Sequence, residues 1–222
     1  MGPEATVLLQ QRLIQAIPAQ DDSDHIPLLI DMNPKVPSRI AHLIEGTGED
    51  PSPSLAAMAR RLEAAGAVAL AMPCNTAHHY ANAIVEAVSI PLLNMVDLAV
   101  AHAEQTLGPG GRVGMLASPA VRRTALFERG LEARGLATIW PADDSLLLSA
   151  IRDIKRNGPT AEAKDILQSA SMELAAGGAG LQLVACSEFS LLAESLPQEN
   201  HVVDTVDLLV SRIVKFHFQS TE

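Results

Sequence analysis

At 222 residues, 48% hydrophobic and 19% charged, the chain has the composition of a folded globular protein of one large or two small domains, which excludes a disordered chain. Its formal net charge of −10 argues against nucleic acid as a partner, because phosphates would be repelled. No long uninterrupted apolar run and no basic-then-apolar leader occurs, so neither a membrane span nor a signal peptide is expected, and two reduced cysteines in a cytoplasmic protein are the default.

Taken in chain order, an amphipathic stretch predicts a first helix over 4–17, followed by a strand at Ile26–Met32 (IPLLIDM) and a helix over 53–65. A strand at Ala67–Met72, a helix over 78–88, a strand at Pro91–Met95 and a helix over 97–106 come next. Beyond the Gly-rich stretch Gly108–Gly111 lie a strand at Arg112–Ala117 (RVGMLA), a helix over 120–134 and a strand at Ala137–Trp140. Helices over 144–157 and 161–176, strands at Leu181–Ala185 and His201–Asp204, and a helix over 205–217 complete the pattern. Several strands are apolar throughout, as strands buried on both faces must be, so the fold class is α/β with mostly parallel sheets flanked by helices.

The two cysteines reveal an internal repeat. MPCNTAHH around Cys74 is followed by NMVDLAV at Asn94–Val100, and ACSEFSLL around Cys186 is followed by DTVDLLV at Asp204–Val210. Two similar lobes follow from this, with the expected division 1–107 plus 205–222 against 108–204. The second lobe opens on RVGMLASPAVRR, a strand, a turn and a helix, whereas the first opens on MGPEATVLLQQ, only the turn and the helix. The first lobe is therefore expected to lack its first strand, which would leave its neighbours without ladder partners.

Cys74 and Cys186 both fall where a strand gives way to a helix. That edge of a parallel sheet is where α/β proteins bind ligands, and a helix start lowers a thiol's pKa from its ordinary value of about 8.5. A cysteine in such a place is also a common core residue, but equivalent positions in two repeats favour a reactive pair. His78 and His79 follow Cys74 closely, yet no further ligand cluster completes a metal site, so none is expected. Glu188 reads equally as a helix cap or as a group that tunes Cys186.

The segments MGPEAT (Met1–Thr6), MNPKVPSR (Met32–Arg39), MPCNTAH (Met72–His78) and ACSE (Ala185–Glu188), in this order, resemble the signature of aspartate racemases in the aspartate/glutamate racemase superfamily. The resemblance implies two flavodoxin-like lobes, an active site in the cleft between them, a homodimer, and a racemase that interconverts L- and D-aspartate, or glutamate, without pyridoxal phosphate or any other cofactor. It assigns proton transfer to Cys74 and Cys186, and substrate binding to Asn75, Thr76, Arg39 and Lys155, with Thr6 lining the cleft floor. Two of the sequence's departures from the family pattern supply the remaining candidates: Ser187 where threonine is usual, and Ser118 in a turn that usually holds threonine. Racemisation without an electron sink needs a thiolate on one face of the α-carbon, a thiol on the other, and donors aimed at the carboxylate. The alternatives are a hydantoin racemase or maleate isomerase of the same superfamily, and a non-catalytic ligand-binding relative.

Overall fold

The computed structural model describes residues 2–219. Its elements run α1 (Pro3–Ala16), α2 (Ser52–Ala64), β1 (Leu70–Ala71), α3 (Ala81–Val85), β2 (Leu92–Leu93) and α4 (Met95–Leu107). They continue through β3 (Arg112–Ala117), α5 (Pro119–Arg123), α6 (Glu128–Glu132), β4 (Ala137–Ile139), α7 (Asp144–Asn157) and α8 (Ala161–Ala176). The chain ends with β5 (Leu181–Ala185), α9 (Ser187–Ser190), β6 (Val202–Asp204) and α10 (Thr205–Gln219). Strand pairing is parallel throughout the described residues, as apolar strands alternating with helices require. None of the described helices is long and apolar enough to cross a membrane.

The chain divides into two compact units, Met1–Met95 with Val206–Glu222, and Val96–Thr205. This division places α4 in the second unit, ahead of the Gly-rich turn that the sequence marks as a boundary. The reason is packing. Side chains of α4 press on glycines of the second unit, Val100 against Gly130 and Leu107 against Gly111 and Gly180, where an added Cβ would come within 3.1, 2.5 and 2.9 Å.

In the second unit four strands lie in the order β4-β3-β5-β6. β3 is the centre: it pairs with β4 through Arg112–Gly114 and with β5 through Val113–Ala117. Its last five residues are buried, and so is all of β5, because helices cover both faces. Leu116, Ile151, Leu167 and Phe189 anchor this core. Gln182 interrupts the apolar run of β5 yet is fully buried, which the pattern alone does not explain. Its amide donates to the Ser171 carbonyl (2.8 Å) and accepts from the Ser171 hydroxyl (2.7 Å), so both polar groups are satisfied inside the core. The helix expected over 120–134 is broken into α5 and α6. Ala125 takes a left-handed conformation (φ 46°) between them, and the bend carries Phe127 into full burial.

The first unit has a smaller sheet, two residues each from β1 and β2. Its core gathers Leu55, Met58, Leu70, Met72, Ala77 and Tyr80. The strand expected at Ile26–Met32 does not form. The segment is extended, but among the described residues none of its backbone groups joins a backbone ladder. Leu28, Leu29 and Ile30 are 43%, 52% and 48% exposed. The strand expected over Ala67–Met72 shrinks to β1, with Ala71 exposed where its counterparts in β5 are buried. Both departures share a cause: among the described residues no strand lies between these two segments, so neither finds a ladder partner on that side.

Candidate active site

In the first unit the chain leaves β1 through Pro73 and turns at Cys74, whose N–H donates to the Met72 carbonyl (2.8 Å). A tight turn of helix over Thr76–Tyr80 follows and runs into α3, so the helix expected over 78–88 is two short pieces. Cys74 is half-buried and unoxidised, Asn75 is buried and Thr76 half-buried. His78 fixes this turn. Its Nδ1 lies 2.9 Å from the Cys74 carbonyl oxygen, and its Nε2 accepts from the Met95 N–H at 3.2 Å. An Nε2 that accepts must be bare, so Nδ1 carries the proton and donates to Cys74. Burial holds the imidazole neutral, its pKa down at about 4 despite the favourable Cys74 carbonyl.

Arg39 stands at the start of the short helix that continues through Ala41–Glu45, half-buried, with Nη1 donating to the Pro37 carbonyl at 2.7 Å. Its Nε is buried without a partner among the described residues. The Tyr80 hydroxyl, 2.7 Å from His42 Nδ1, feels this guanidinium. Burial first, then Asp50, raise the phenol to about 12, with Arg39 pulling the other way. Arg39 thus acts through its charge on Tyr80, the last residue of the turn that follows Cys74. Thr6 sits elsewhere in this unit: on α1 it lines an apolar groove with 26–31 and 69–73. Met1, part of the same motif, lies outside the described residues.

In the second unit Cys186 directly follows β5, and Ser118 directly follows β3 in the neighbouring position of the sheet. Both are buried. The Ser118 hydroxyl caps α5 by accepting from the Ala120 N–H (3.3 Å). The Cys186 thiol donates to Glu188 Oε2 at 3.1 Å, and Glu188 Oε1 accepts from Lys155 Nζ at 3.0 Å. The Ser187 hydroxyl lies 3.5 Å from the same carboxylate. Lys155, Glu188, Ser187 and Cys186 are therefore one connected group. Behind them the Ser190 hydroxyl donates to the buried Asp204 carboxylate at 2.8 Å, and Thr205 Oγ1 donates to the Val184 carbonyl at 2.9 Å.

This group corrects the expectation of a lowered thiol pKa at Cys186. Burial, then the adjacent Glu188 charge and its hydrogen bond, push the thiol well above its ordinary value, against the opposing pull of Lys155 and of the Glu188 backbone N–H. Helix α9 is a single turn and offers little countervailing potential. Burial alone would raise Glu188 too, but Lys155 and the thiol hydrogen bond together bring it below the usual carboxylate range. Glu188 is thus no simple cap: it holds the Cys186 proton in place. Sequence reasoning gave Lys155 a substrate carboxylate and did not foresee Glu188 as its partner. The α7 spacing offered no signal, because the pair is made across elements.

Each unit contributes a cysteine just past the strand that precedes its last strand. The order is β1, Cys74, α3, β2, α4 in one repeat and β5, Cys186, α9, β6, α10 in the other. Among the described residues no cluster of three or more His, Cys, Asp and Glu side chains is placed to hold a metal.

Residues 1–213 match the family model of the Asp/Glu/hydantoin racemases. The broad specificity amino-acid racemase RacX of Bacillus subtilis is 24% identical over 158 residues, which are 69% of this chain and 66% of that protein. The chain thus covers just under two thirds of that relative's length. Among solved structures, the aspartate racemase of Picrophilus torridus aligns with a TM-score of 0.83 at 24% identity, over 96% of this chain and 89% of that one. An aspartate racemase homologue from Pyrococcus horikoshii aligns at 0.71 and 19% identity, over 96% and 94%. At these identities the structures speak for the two-lobed α/β fold alone. The match over nearly the whole chain decides the matter: this protein belongs to the Asp/Glu/hydantoin racemase family.

Proposed function

We propose that this protein is a cofactor-independent racemase of small acidic amino acids, aspartate first and glutamate second, in which Cys74 and Cys186 exchange the α-proton. The observation that carries this reading is that the two repeats present their cysteines at equivalent strand ends. The similarity to an aspartate racemase structure and to a broad-specificity amino-acid racemase supports the substrate class.

The two thiols enter the reaction unequally. Burial and the Glu188 carboxylate keep Cys186 protonated, which gives Cys186 the part of the acid and leaves that of the base to Cys74. The Cys74 thiolate takes the α-hydrogen from one face while Cys186 delivers its own to the other. The pair ends as Cys74 thiol and Cys186 thiolate, with Lys155 lowering the energy of the new anion. The opposite enantiomer starts from this second form and returns the first, so the protons balance over a cycle. Arg39 receives a substrate carboxylate in bidentate fashion. Asn75, Thr76, Ser187 and Ser118 complete the polar lining, and the enzyme works as a cytoplasmic homodimer.

Purified protein incubated with L-aspartate in heavy water is expected to give D-aspartate carrying deuterium at Cα. No exchange with aspartate or glutamate would end the reading for these substrates, and a 5-substituted hydantoin is the next one to offer, since the family includes hydantoin racemases. Cys74→Ala and Cys186→Ala are each expected to lower interconversion by at least about 100-fold. Sedimentation at micromolar concentration tests the dimer, which a monomer's mass would refute.

A further inference from the structure

Arg39 is only partly held by its own hydrogen bonds. Its Nη1 donates to the carbonyls of Pro37 at 2.7 Å and Val36 at 3.4 Å, both just before it in the chain, and its Nε–H is buried with no acceptor among the described residues. A buried donor left without an acceptor is costly, so a guanidinium in this state keeps its place only if the backbone that carries it is fixed from outside. Two features fix that backbone. The first is local: the helix after Arg39 closes in a wide π-type turn, in which the Ala41 carbonyl accepts from the Thr47 and Gly48 N–H groups at 3.0 and 3.2 Å. Gly48 lies so close that an added Cβ would come within 2.7 Å of the His42 backbone nitrogen.

The second feature crosses to another element. His42, three residues after Arg39 on the same short helix, places Nδ1 2.7 Å from the Tyr80 hydroxyl. Tyr80 closes the Thr76–Tyr80 turn that follows Cys74. It is 6% exposed, in the core that also holds Val36, whose carbonyl Arg39 grips. A phenol so deep needs a polar partner, and His42 supplies it. Because a phenol both donates and accepts, the link survives whichever ring nitrogen of His42 carries the proton. His79 packs edge-on against the same ring, centroids 4.9 Å apart, and the charges of Asp50 and Arg39 both act on the hydroxyl. The proposed chemistry uses neither His42 nor Tyr80.

We propose that Tyr80 and His42 are positioning residues: their hydrogen bond fastens the helix that carries Arg39 to the turn that follows Cys74, and so fixes the guanidinium for the carboxylate it receives. The inference rests on the proposed role of Arg39 in substrate binding. Tyr80 and His42 act through Arg39 and do not touch the substrate. Two consequences separate this role from a merely structural one. Loss of the bond weakens substrate binding while proton transfer between the thiols stays nearly as fast. Once Arg39 itself is removed, loss of the bond has nothing further to act on.

Steady-state kinetics with L-aspartate compare the natural chain with Tyr80→Phe, His42→Leu and His42→Asn. Tyr80→Phe and His42→Leu are each expected to raise KM at least about tenfold, with kcat within about threefold of the natural value. His42→Asn keeps a polar group near the place of Nδ1 and is expected to restore most of the loss. In an Arg39→Ala background, Tyr80→Phe is expected to change KM by less than about twofold. A second readout needs no turnover: labelling of arginines by phenylglyoxal, followed by mass spectrometry with the exposed Arg60 as internal reference. Arg39 is expected to react at least about threefold faster in Tyr80→Phe and His42→Leu, and at the natural rate in His42→Asn. If the natural chain turns over no acidic amino acid, the proposed function fails and the labelling alone decides this proposal. Should Tyr80→Phe not fold, the two replacements of the partly exposed His42 carry the comparison. Unmoved labelling overturns the proposal, as does an unmoved KM in an active enzyme, or a Tyr80→Phe effect on KM that persists in full without Arg39.

Discussion

The Cys186 thiol and the Glu188 carboxylate form the pair on which the asymmetry of the site rests. Removing the charge by Glu188→Gln leaves burial in place but takes away the neighbour that most opposes a thiolate, while the Lys155 ammonium remains. The pH midpoint for alkylation of Cys186 by iodoacetamide, followed by mass spectrometry, is expected to move down in Glu188→Gln and up in Lys155→Met. Unmoved midpoints in both would show that the carboxylate does not set the thiol's protonation. His78 makes a second prediction at this scale. Its pKa near 4 in the folded chain lies below the value of about 6.5 expected when unfolded, so the unfolded chain binds a proton that the folded one refuses. The stability this confers is present above about pH 6.5 and lost as pH falls towards 4, on the order of 3 kcal/mol in all. Urea unfolding across that window is expected to show a shallower pH slope for His78→Gln than for the natural chain; equal slopes would contradict it.

Among the elements, α8 and β5 show how polar residues are placed without loss. Thr160 caps α8 by accepting from the Ala163 N–H at 3.1 Å and ties its start to Asp153 of α7. Thr160→Ala is expected to cost about 1 kcal/mol in unfolding free energy. Ser171→Ala leaves the Gln182 carbonyl oxygen and the Asn200 amide without the hydroxyl that serves both, at a cost of about 1–3 kcal/mol. Leu167→Ala opens a hole in the centre of the same core and is expected to cost about 2–5 kcal/mol. Urea midpoints rank the three, and an order with Leu167→Ala mildest would show that the core around it collapses freely. The strands are equally instructive. Arg112–Ala117 and Leu181–Ala185 have the limits expected of them, because each meets a partner on both sides. Ile26–Met32 is as apolar as either and makes no ladder among the described residues, since a strand is a property of a pair.

For the whole molecule, the two units differ in how well their sheets are closed. Amides of β3 and β5 have ladder partners and, Arg112 aside, lie on buried residues, whereas 27–30 is exposed and outside any backbone ladder among the described residues. Native-state hydrogen exchange of the chain as it stands is expected to leave 28–30 close to the unprotected rate. Residues 182–185 should be slower by roughly a thousandfold or more, as befits a core strand. Protection of 28–30 comparable to β5 would mean that a partner already covers them. The net charge of −10 also acts at this scale. Under the proposed function, an acidic substrate meets a repelling general field, which a local cation such as Arg39 offsets.

Residue order alone carries the α/β class, the repeat around Cys74 and Cys186, and the family. Apolar periodicity and motif order are written locally, and a comparison of two halves needs no coordinates. Tertiary structure alone decided that α4 packs with the second unit, that the 120–134 helix bends to bury Phe127, and that His78 braces the Cys74 turn. It alone joined Lys155 to Glu188 and Glu188 to the Cys186 thiol, reversing the expected direction of that thiol's pKa. Burial and through-space charge are sums over neighbours brought together by folding, and residue spacing along the chain does not contain them.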